Sequence, residues 1–247
     1  MRSSQTKRWV LLAVLTVGFF ILITNMRWWE SALGSLFPDE IPVIYPSASL
    51  LDLVWEHIQL VAISSSLTIL IGVPLGIWVT RPSGRNFLPI ITDLTSIGQT
   101  FPPIAVLALA VPMLGFGAEP TIVALFLYGL LPVVRNTIAG LRAVPGHVLD
   151  AAYGMGMSQT RALIRIELPL AASVIIAGVR ISVIINIGTA MIGAAIGAGG
   201  LGHPVIAGLV RDNIAFIVEG AVPAAILAVL VDQLLANVER SLAYSVQ

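Results

Sequence analysis

Apolar residues occur along this chain in long runs that are separated by short polar intervals. Most of these runs are about as long as a helix that crosses a lipid bilayer. Because a helix satisfies its own backbone hydrogen bonds in lipid, the pattern predicts an all-α polytopic membrane protein with about six transmembrane helices. The predicted spans cover residues 9–23, 58–80, 87–114, 120–139, 170–196 and 214–235.

The first run is the shortest, and it follows the basic residues Lys7 and Arg8. Its length lies between that of a signal-peptide core and that of a full span, so cleaved and uncleaved forms are the alternatives. The bulky pair Trp28 and Trp29 stands close before a poor cleavage site. We therefore predict an uncleaved signal-anchor helix, followed at residues 26–56 by a polar extracytoplasmic connecting loop.

Prolines and polar residues interrupt the third and fifth spans. The consecutive prolines Pro102 and Pro103 remove two amide donors and bend a helix. Arg180 should face the bundle interior, water or an acidic partner, because a charge in mid-span is costly in lipid. Broken polar helices often line a transport path, and the alternatives are a kinked packing helix and a structural ion pair. The candidate path residues are Gln99, Thr100, Arg180, Asn186 and Thr189.

Glycine predicts two further irregularities in the helices. Gly72 and Gly76 flank Pro74, which predicts a break in the second span. The glycine-rich run at residues 197–202 cannot remain regular helix, so we predict a tight outer or re-entrant turn there. A short interfacial segment is expected to follow it at residues 203–213.

The polar interval from Pro145 to Pro169 is the longest after the first fifty residues. Asp150 suits a helix start, where the helix dipole favours negative charge. Gly154 and Gly156 break that helix or let a second backbone come close. A second amphipathic turn follows, with its arginines facing away from its apolar residues, and Pro169 ends the interval. The interval predicts a helix-turn-helix at the membrane surface, shaped for contact with a partner outside the membrane.

Basic residues are distributed unequally among the polar intervals, and this fixes the predicted orientation. Arg27 and Arg211 fall on one side of the membrane, while Arg135 and Arg180 lie within spans. The remaining basic residues fall on the other side: Arg2, Lys7, Arg8, Arg81, Arg85, Arg142, Arg161, Arg165 and Arg240. Both termini and the 145–169 loop are therefore predicted to be cytoplasmic.

Composition limits both the environment and the chemistry of the chain. Of its 247 residues, 57% are hydrophobic and 11% charged, so lipid must act as solvent for much of the surface. The net charge of zero gives no pull towards nucleic acid, and the absence of cysteine excludes disulfides. His57, His147 and His203 are too far apart in sequence to predict a metal site. The chain contains no phosphate-binding loop motif, so we expect a non-catalytic membrane subunit without a bound cofactor.

The loop resembles the EAA loop of permease subunits in binding-protein-dependent ABC importers. The matching residues are Asp150, Ala151, Ala152, Gly156, Ile166, Leu168 and Pro169, with Gly154 in the same turn. Asp150 departs from the commoner glutamate but keeps the charge. The resemblance implies a type I ABC importer permease fold, in which coupling helices at 145–169 dock in a groove of a cytoplasmic ATPase.

Other stretches resemble the osmoprotectant branch of these permeases. They are residues 99–103, 131–137, 185–190 and 197–202. This branch imports glycine betaine, choline, carnitine or related quaternary amines across the bacterial inner membrane. The resemblance implies alternating access in a permease dimer or heterodimer, driven by ATP and Mg on a partner ATPase dimer. It also implies an extracytoplasmic substrate-binding protein.

Three other functions remain open from the sequence. These are an ion-coupled secondary transporter, an ABC permease for another small solute, and a non-transporting membrane anchor. A secondary transporter usually contains internal repeats and paired intramembrane acids, and neither is found here. We predict an N-terminal region at residues 1–52 and a permease core at residues 53–240.

Overall fold

The structure is a computed structural model that describes residues 2–244. Over this range the chain is helical and contains no strand, which confirms the predicted all-α class. The α-helices in this range are α1 (Arg2–Thr24), α2 (Met26–Leu36), α3 (Leu50–Thr80), α4 (Leu88–Thr100), α5 (Pro103–Leu114), α6 (Ala118–Arg142), α7 (Gly146–Gly154), α8 (Gln159–Ala162), α9 (Leu168–Gly193), α10 (Gly202–Arg211) and α11 (Ile214–Tyr244). A π-helical turn lies at Leu163–Glu167, between α8 and α9.

Five helical stretches between residues 2 and 244 are long and apolar enough to cross a bilayer. They are Thr6–Thr24, Leu50–Thr80, Ala118–Arg142, Gln159–Ile196 and Ile214–Leu242. The broken pair Arg85–Thr100 and Pro103–Leu114 is a sixth candidate. The prediction of about six spans is therefore confirmed.

The third span is broken at the prolines, as the sequence predicts. Phe101 (φ −72°, ψ 134°) and Pro102 (φ −58°, ψ 137°) are extended, and α5 begins at Pro103. Proline is well tolerated at the first position of a helix, because the amide it lacks would have no partner there.

The predicted connecting loop at residues 26–56 is partly wrong, because both of its ends are helical. Helix α2 occupies Met26–Leu36, and α3 begins at Leu50 rather than at residue 58. Ser49 caps α3: its Oγ accepts the N–H of Asp52 at 3.2 Å and donates to the Asp52 carboxylate at 2.6 Å. This local capping starts the helix before the polar residues end.

The predicted break in the second span is also wrong, since α3 runs through Pro74 without interruption. The flanking glycines serve packing. A Cβ at Gly76 would lie 2.7 Å from Thr137, and one at Gly72 would lie 3.0 Å from Val133. Both glycines therefore allow α6 to approach α3 closely.

Packing divides the chain into two compact units. The first unit comprises Met1–Ser64, Pro102–Leu125 and Ile184–Gln233, and the second comprises Ser65–Phe101, Phe126–Val183 and Leu234–Gln247. An apolar core that includes Leu33, Leu53 and Leu201 lies in the first unit. Clusters around Val134 and Leu141 lie in the second unit. The division into regions 1–52 and 53–240 stays a prediction.

In the first unit, the segment between α2 and α3 is bound to the start of α11. The side-chain amide of Asn213 donates to the carbonyl of Pro42 at 3.0 Å. The backbone N–H of Tyr45 donates to Oε2 of the fully buried Glu219 at 2.7 Å. The rings of Tyr45 and Phe216 meet edge to face with centroids 5.8 Å apart.

The glycine-rich run of the first unit forms the predicted turn. Gly197, Gly199 and Gly200 have φ angles of 79°, 91° and 79°, values that favour glycine. The N–H of Gly200 donates to Oε2 of Glu56 at 2.8 Å. Helix α10 follows at once, and it agrees with the short segment expected there.

Candidate functional site

The first half of the 145–169 loop is helix α7, which begins at Gly146. Pro145 is extended (φ −63°, ψ 134°) and sets that start, so the prediction that Asp150 begins the helix is wrong. Asp150 lies in the middle of α7 instead. Asp150 and Ala151 are exposed, whereas Ala152 is fully buried. The buried side chain of Ala152 therefore anchors one face of α7, and the carboxylate of Asp150 is exposed on the outside.

Gly156 ends α7 in a left-handed conformation, with φ at 80°. The N–H of Met157 donates to the carbonyl of Ala152 at 3.1 Å, and the N–H of Gly156 donates to that of Tyr153 at 2.9 Å. This pair of bonds is the Schellman arrangement, which favours glycine at this position. Gly154, by contrast, is helical and exposed, and a Cβ there would meet nothing within 4 Å.

The second half of the loop leads directly into the fifth span. Ser158 caps α8, because its Oγ accepts the N–H of Arg161 at 3.4 Å. The π-helical turn Leu163–Glu167 follows, and α9 continues through Pro169. Helix α9 thus begins at Leu168, two residues before the predicted start of the fifth span at residue 170. A proline cannot donate the α-helical hydrogen bond to the carbonyl four residues before it, and its ring clashes with that carbonyl. The π turn changes the helical register at that place.

The apolar residues of the motif join the loop to the second unit's core. Leu168 packs against a buried cluster that consists of Leu141, Ala171 and Ile175. Ile166 is half-buried in the π turn, two residues before Leu168. The end of the loop is thus fixed by packing with α6 and α9.

A buried ion pair adds to this fixation. The guanidinium of Arg81, the residue after α3, donates from Nη1 to Oε1 of Glu167 at 2.8 Å and from Nη2 to Oε2 at 2.6 Å. The Glu167 side chain is 4% exposed and that of Arg81 is 22% exposed. The hydrogen bond to Glu167 raises the pKa of Arg81, so this arginine stays charged.

A cavity of about 350 Å³ borders the ion pair. Leu149, Tyr153 and Gln159 line it from the loop, and Thr80 and Arg142 line it from the ends of α3 and α6. Both halves of the loop therefore border the cavity, while Leu168 at the end of the loop joins the core.

The outward surface of the loop combines apolar and charged side chains. Met155 is 71% exposed and Ile164 is 59% exposed, and Tyr153 is also exposed. The exposure of Ile164 differs from the prediction that the arginines alone face away from the packed side. Asp150 and Arg165 are exposed on the same loop. Exposed apolar side chains among charges are typical of a surface that contacts another protein.

Two of the path candidates, Gln99 and Thr100, lie in the last turn of α4. The side-chain amide of Gln99 donates to the carbonyl of Tyr128 at 2.8 Å. The hydroxyl of Thr100 donates to the carbonyl of Ile97 at 2.8 Å, and the residue is exposed. Their role in a path stays a prediction.

The other three path candidates lie along α9. Arg180 donates from Nη1 to Oε2 of Glu239 at 3.3 Å, so an acidic partner is present, which is one of the three alternatives that the sequence leaves open. Asn186 is fully buried, and its Nδ2 lies 3.4 Å from Oγ of Ser64. Thr189 is half-buried. Their role in a path stays a prediction.

The sequence interpretation missed the Arg81–Glu167 pair, although each residue was visible in the chain. Glu167 stands between Ile166 and Leu168 in a run that leads into a span. An acidic residue in such a run needs a partner, and this was the available signal. The identity of that partner required the fold.

Comparisons with known proteins place these features in context. The model of the family described as "Binding-protein-dependent transport system inner membrane component" matches residues 72–244. The osmoprotectant import permease protein OsmY of Salmonella typhimurium is 38% identical over 223 residues, which cover 89% of this chain and 92% of that protein. The choline transport system permease protein OpuBB of Bacillus subtilis is 43% identical, over 76% of this chain and 86% of that protein. The carnitine transport permease protein OpuCD of Listeria monocytogenes is 40% identical, over 76% and 84%.

A solved structure is similar in fold. The chain matches an inward-facing structure of the MetNI methionine ABC transporter with a TM-score of 0.68 and 24% sequence identity. The match covers 78% of this chain and 95% of that chain. It agrees with the predicted type I importer permease fold, and at this identity it concerns the fold alone.

Proposed function

The chain belongs to the family of binding-protein-dependent transport system inner membrane components, and on that premise we propose that it is the permease subunit of an ATP-driven importer for quaternary-amine osmoprotectants. The observation that carries this proposal is the conjunction of the Asp150–Pro169 motif with permease relatives that match most of the chain. These relatives are named for osmoprotectant, choline and carnitine transport.

A separate cytoplasmic ATPase dimer hydrolyses ATP with Mg in this proposal, and the 145–169 loop docks on it. The exposed residues of α7 support this assignment, because Asp150 and Ala151 are accessible while Ala152 holds the helix in place. Met155 adds an exposed apolar contact just beyond the helix. A carboxylate beside apolar side chains is suited to a groove that contains basic and apolar residues.

The remaining partners follow from family membership. An extracytoplasmic substrate-binding protein delivers the solute, and a second permease copy or a paralogue completes the path. The binding protein selects the cation, so this chain needs only to offer a path. Both termini and the loop lie in the cytoplasm, which agrees with the scarcity of basic residues in the opposite intervals.

We assign the path residues by chemistry. Gln99, Asn186 and Thr189 present neutral polar groups, which do not repel a quaternary ammonium group. Arg180 serves a structural role instead, because its charge is paired with Glu239. A positive side chain would also repel a quaternary amine.

Uptake by the reconstituted complex tests the proposal. The permease, with its partner ATPase and binding protein, is placed in liposomes, and uptake of radiolabelled glycine betaine, choline and carnitine is measured with and without internal ATP. We expect uptake of at least one of them only with ATP, and loss of uptake in Asp150→Lys although the protein still inserts. Uptake driven by an ion gradient without ATP would identify a secondary transporter and overturn the proposal.

A further inference from the structure

The ion pair between Arg81 and Glu167 joins two parts of the chain that the family motif does not connect. Arg81 directly follows α3, and Glu167 ends the π turn through which the loop enters α9. Both oxygens of the carboxylate accept a hydrogen bond from the guanidinium, at 2.8 and 2.6 Å. A planar, two-point contact fixes orientation as well as distance, which a single hydrogen bond does not.

Apolar packing near this pair involves the same elements. Leu163 and Leu168 of the loop pack against a cluster that also receives Val73 and Ile77 from α3. The second half of the loop and the end of α3 are therefore joined by an ion pair and by side-chain packing together. Closely packed elements move as one body when either of them is displaced.

The first half of the loop lies in a different environment. Leu149 and Tyr153 of α7 line the cavity of about 350 Å³ together with Arg81 and Glu167. Ala152 anchors one face of α7, whereas the side that borders the cavity is not filled by neighbouring side chains. Arg81 and Glu167 thus form the polar contact between the loop and the end of α3, beside the apolar packing of Leu163 and Leu168.

We propose that Arg81 and Glu167 form the positioning contact through which a displacement of the 145–169 loop reaches helix α3. This inference rests on the proposed function. The two residues touch neither solute nor nucleotide, and they act through the helices that they join. If the contact is weakened, the ATPase still hydrolyses ATP, but fewer solute molecules are imported for each ATP.

The number of ATP molecules hydrolysed per solute imported tests this role. The wild-type complex and the variant Arg81→Lys are compared in liposomes with radiolabelled glycine betaine or choline. Lysine keeps the charge but loses the two-point contact, so the protein should fold while the ratio of ATP to solute rises. We expect a rise of roughly fivefold or more, a typical size for coupling between two sites.

The charge-reversed pair provides the second measurement. Arg81→Glu and Glu167→Arg should each abolish uptake, and the double variant should restore part of it. Arg85→Gln is the matched control, because this exposed arginine lies one turn further along the chain. It should leave the ratio unchanged.

The outcomes separate this inference from the proposed function. If the wild-type complex does not import solute with ATP, the proposed function itself fails. If the wild type imports and Arg81→Lys has a wild-type ratio, only the inference is overturned. A fall in assembled complex with an unchanged ratio would also overturn it, since that result describes a structural contact alone.

Discussion

The carboxylates of the two units have different hydrogen-bond donors. In the second unit, Glu167 is paired with the guanidinium of Arg81, and both oxygens are used. In the first unit, Glu219 accepts the backbone N–H of Tyr45, and Glu56 accepts that of Gly200. Neither of these two carboxylates has a basic partner among the described residues.

This difference follows the distribution of basic residues along the chain. The intervals that border Glu56 and Glu219 contain only Arg27 and Arg211, whereas arginines surround the loop of the second unit. Where cations are scarce, backbone amides remain the available donors. The comparison teaches that an ion pair forms where arginines are close, and that backbone N–H groups bind carboxylates where no cation is near. The same substitution should therefore have different effects in the two units.

Glu167→Gln should cause the largest loss of stability. It leaves the partly buried guanidinium of Arg81 without a counter-charge, which costs roughly 3 kcal/mol. Thermal unfolding of the purified complex in detergent measures this loss. The double variant Arg81→Gln with Glu167→Gln is the control, and it should lose less because no unpaired charge remains. Equal losses of stability in both variants would show that an unpaired charge on Arg81 is not the cause of the loss.

Gly156→Val should cause a loss of stability of intermediate size, because it strains the Schellman turn that ends α7 in the second unit. Valine at a φ of 80° is strained by roughly 2 kcal/mol, although no neighbouring atom obstructs its Cβ. Asparagine tolerates this conformation, so Gly156→Asn should lose much less stability. Thermal unfolding and ATP-driven uptake are measured together. A valine variant as stable as the asparagine variant would show that the Schellman turn is unimportant.

Glu219→Gln should have the smallest effect, below about 1 kcal/mol, because the amide oxygen still accepts the N–H of Tyr45 and no cation loses a partner. Glu219→Ala is the matched variant, and it should lose more because that N–H is left without its acceptor. Thermal unfolding distinguishes the two. A loss in Glu219→Gln as large as in Glu167→Gln would contradict the difference between the units.

Much of the fold could be predicted from the sequence, because lipid imposes simple rules on length and polarity. The six candidate spans, the break before Pro103 and the turn that begins at Gly197 all follow from local residue types. The cap of α3 is also a local feature, since Ser49 and Asp52 have the spacing of a capping box. The predicted start of the second span at residue 58 does not take this cap into account.

The remaining features depend on contacts that sequence spacing does not reveal. Pro74 lies within a continuous helix whose neighbouring glycines serve packing, and Pro169 lies in α9 directly after a π turn. The partner of Glu167 lies 86 residues away in the chain. In the candidate site, the motif located the loop, and the family comparison supports that identification. The contacts of its residues with an ATPase stay predictions.

Cross-linking from the loop to the ATPase tests the central claim most directly. The chain contains no cysteine, so a single one can be introduced at Met155, which is 71% exposed, and coupled to a photoreactive maleimide. A cysteine at Met113, which is 85% exposed and precedes the predicted outer turn, is the control. We predict a covalent product of permease and ATPase from Met155→Cys and none from Met113→Cys. Failure to form that product from Met155→Cys, or equal products from both positions, would contradict the account.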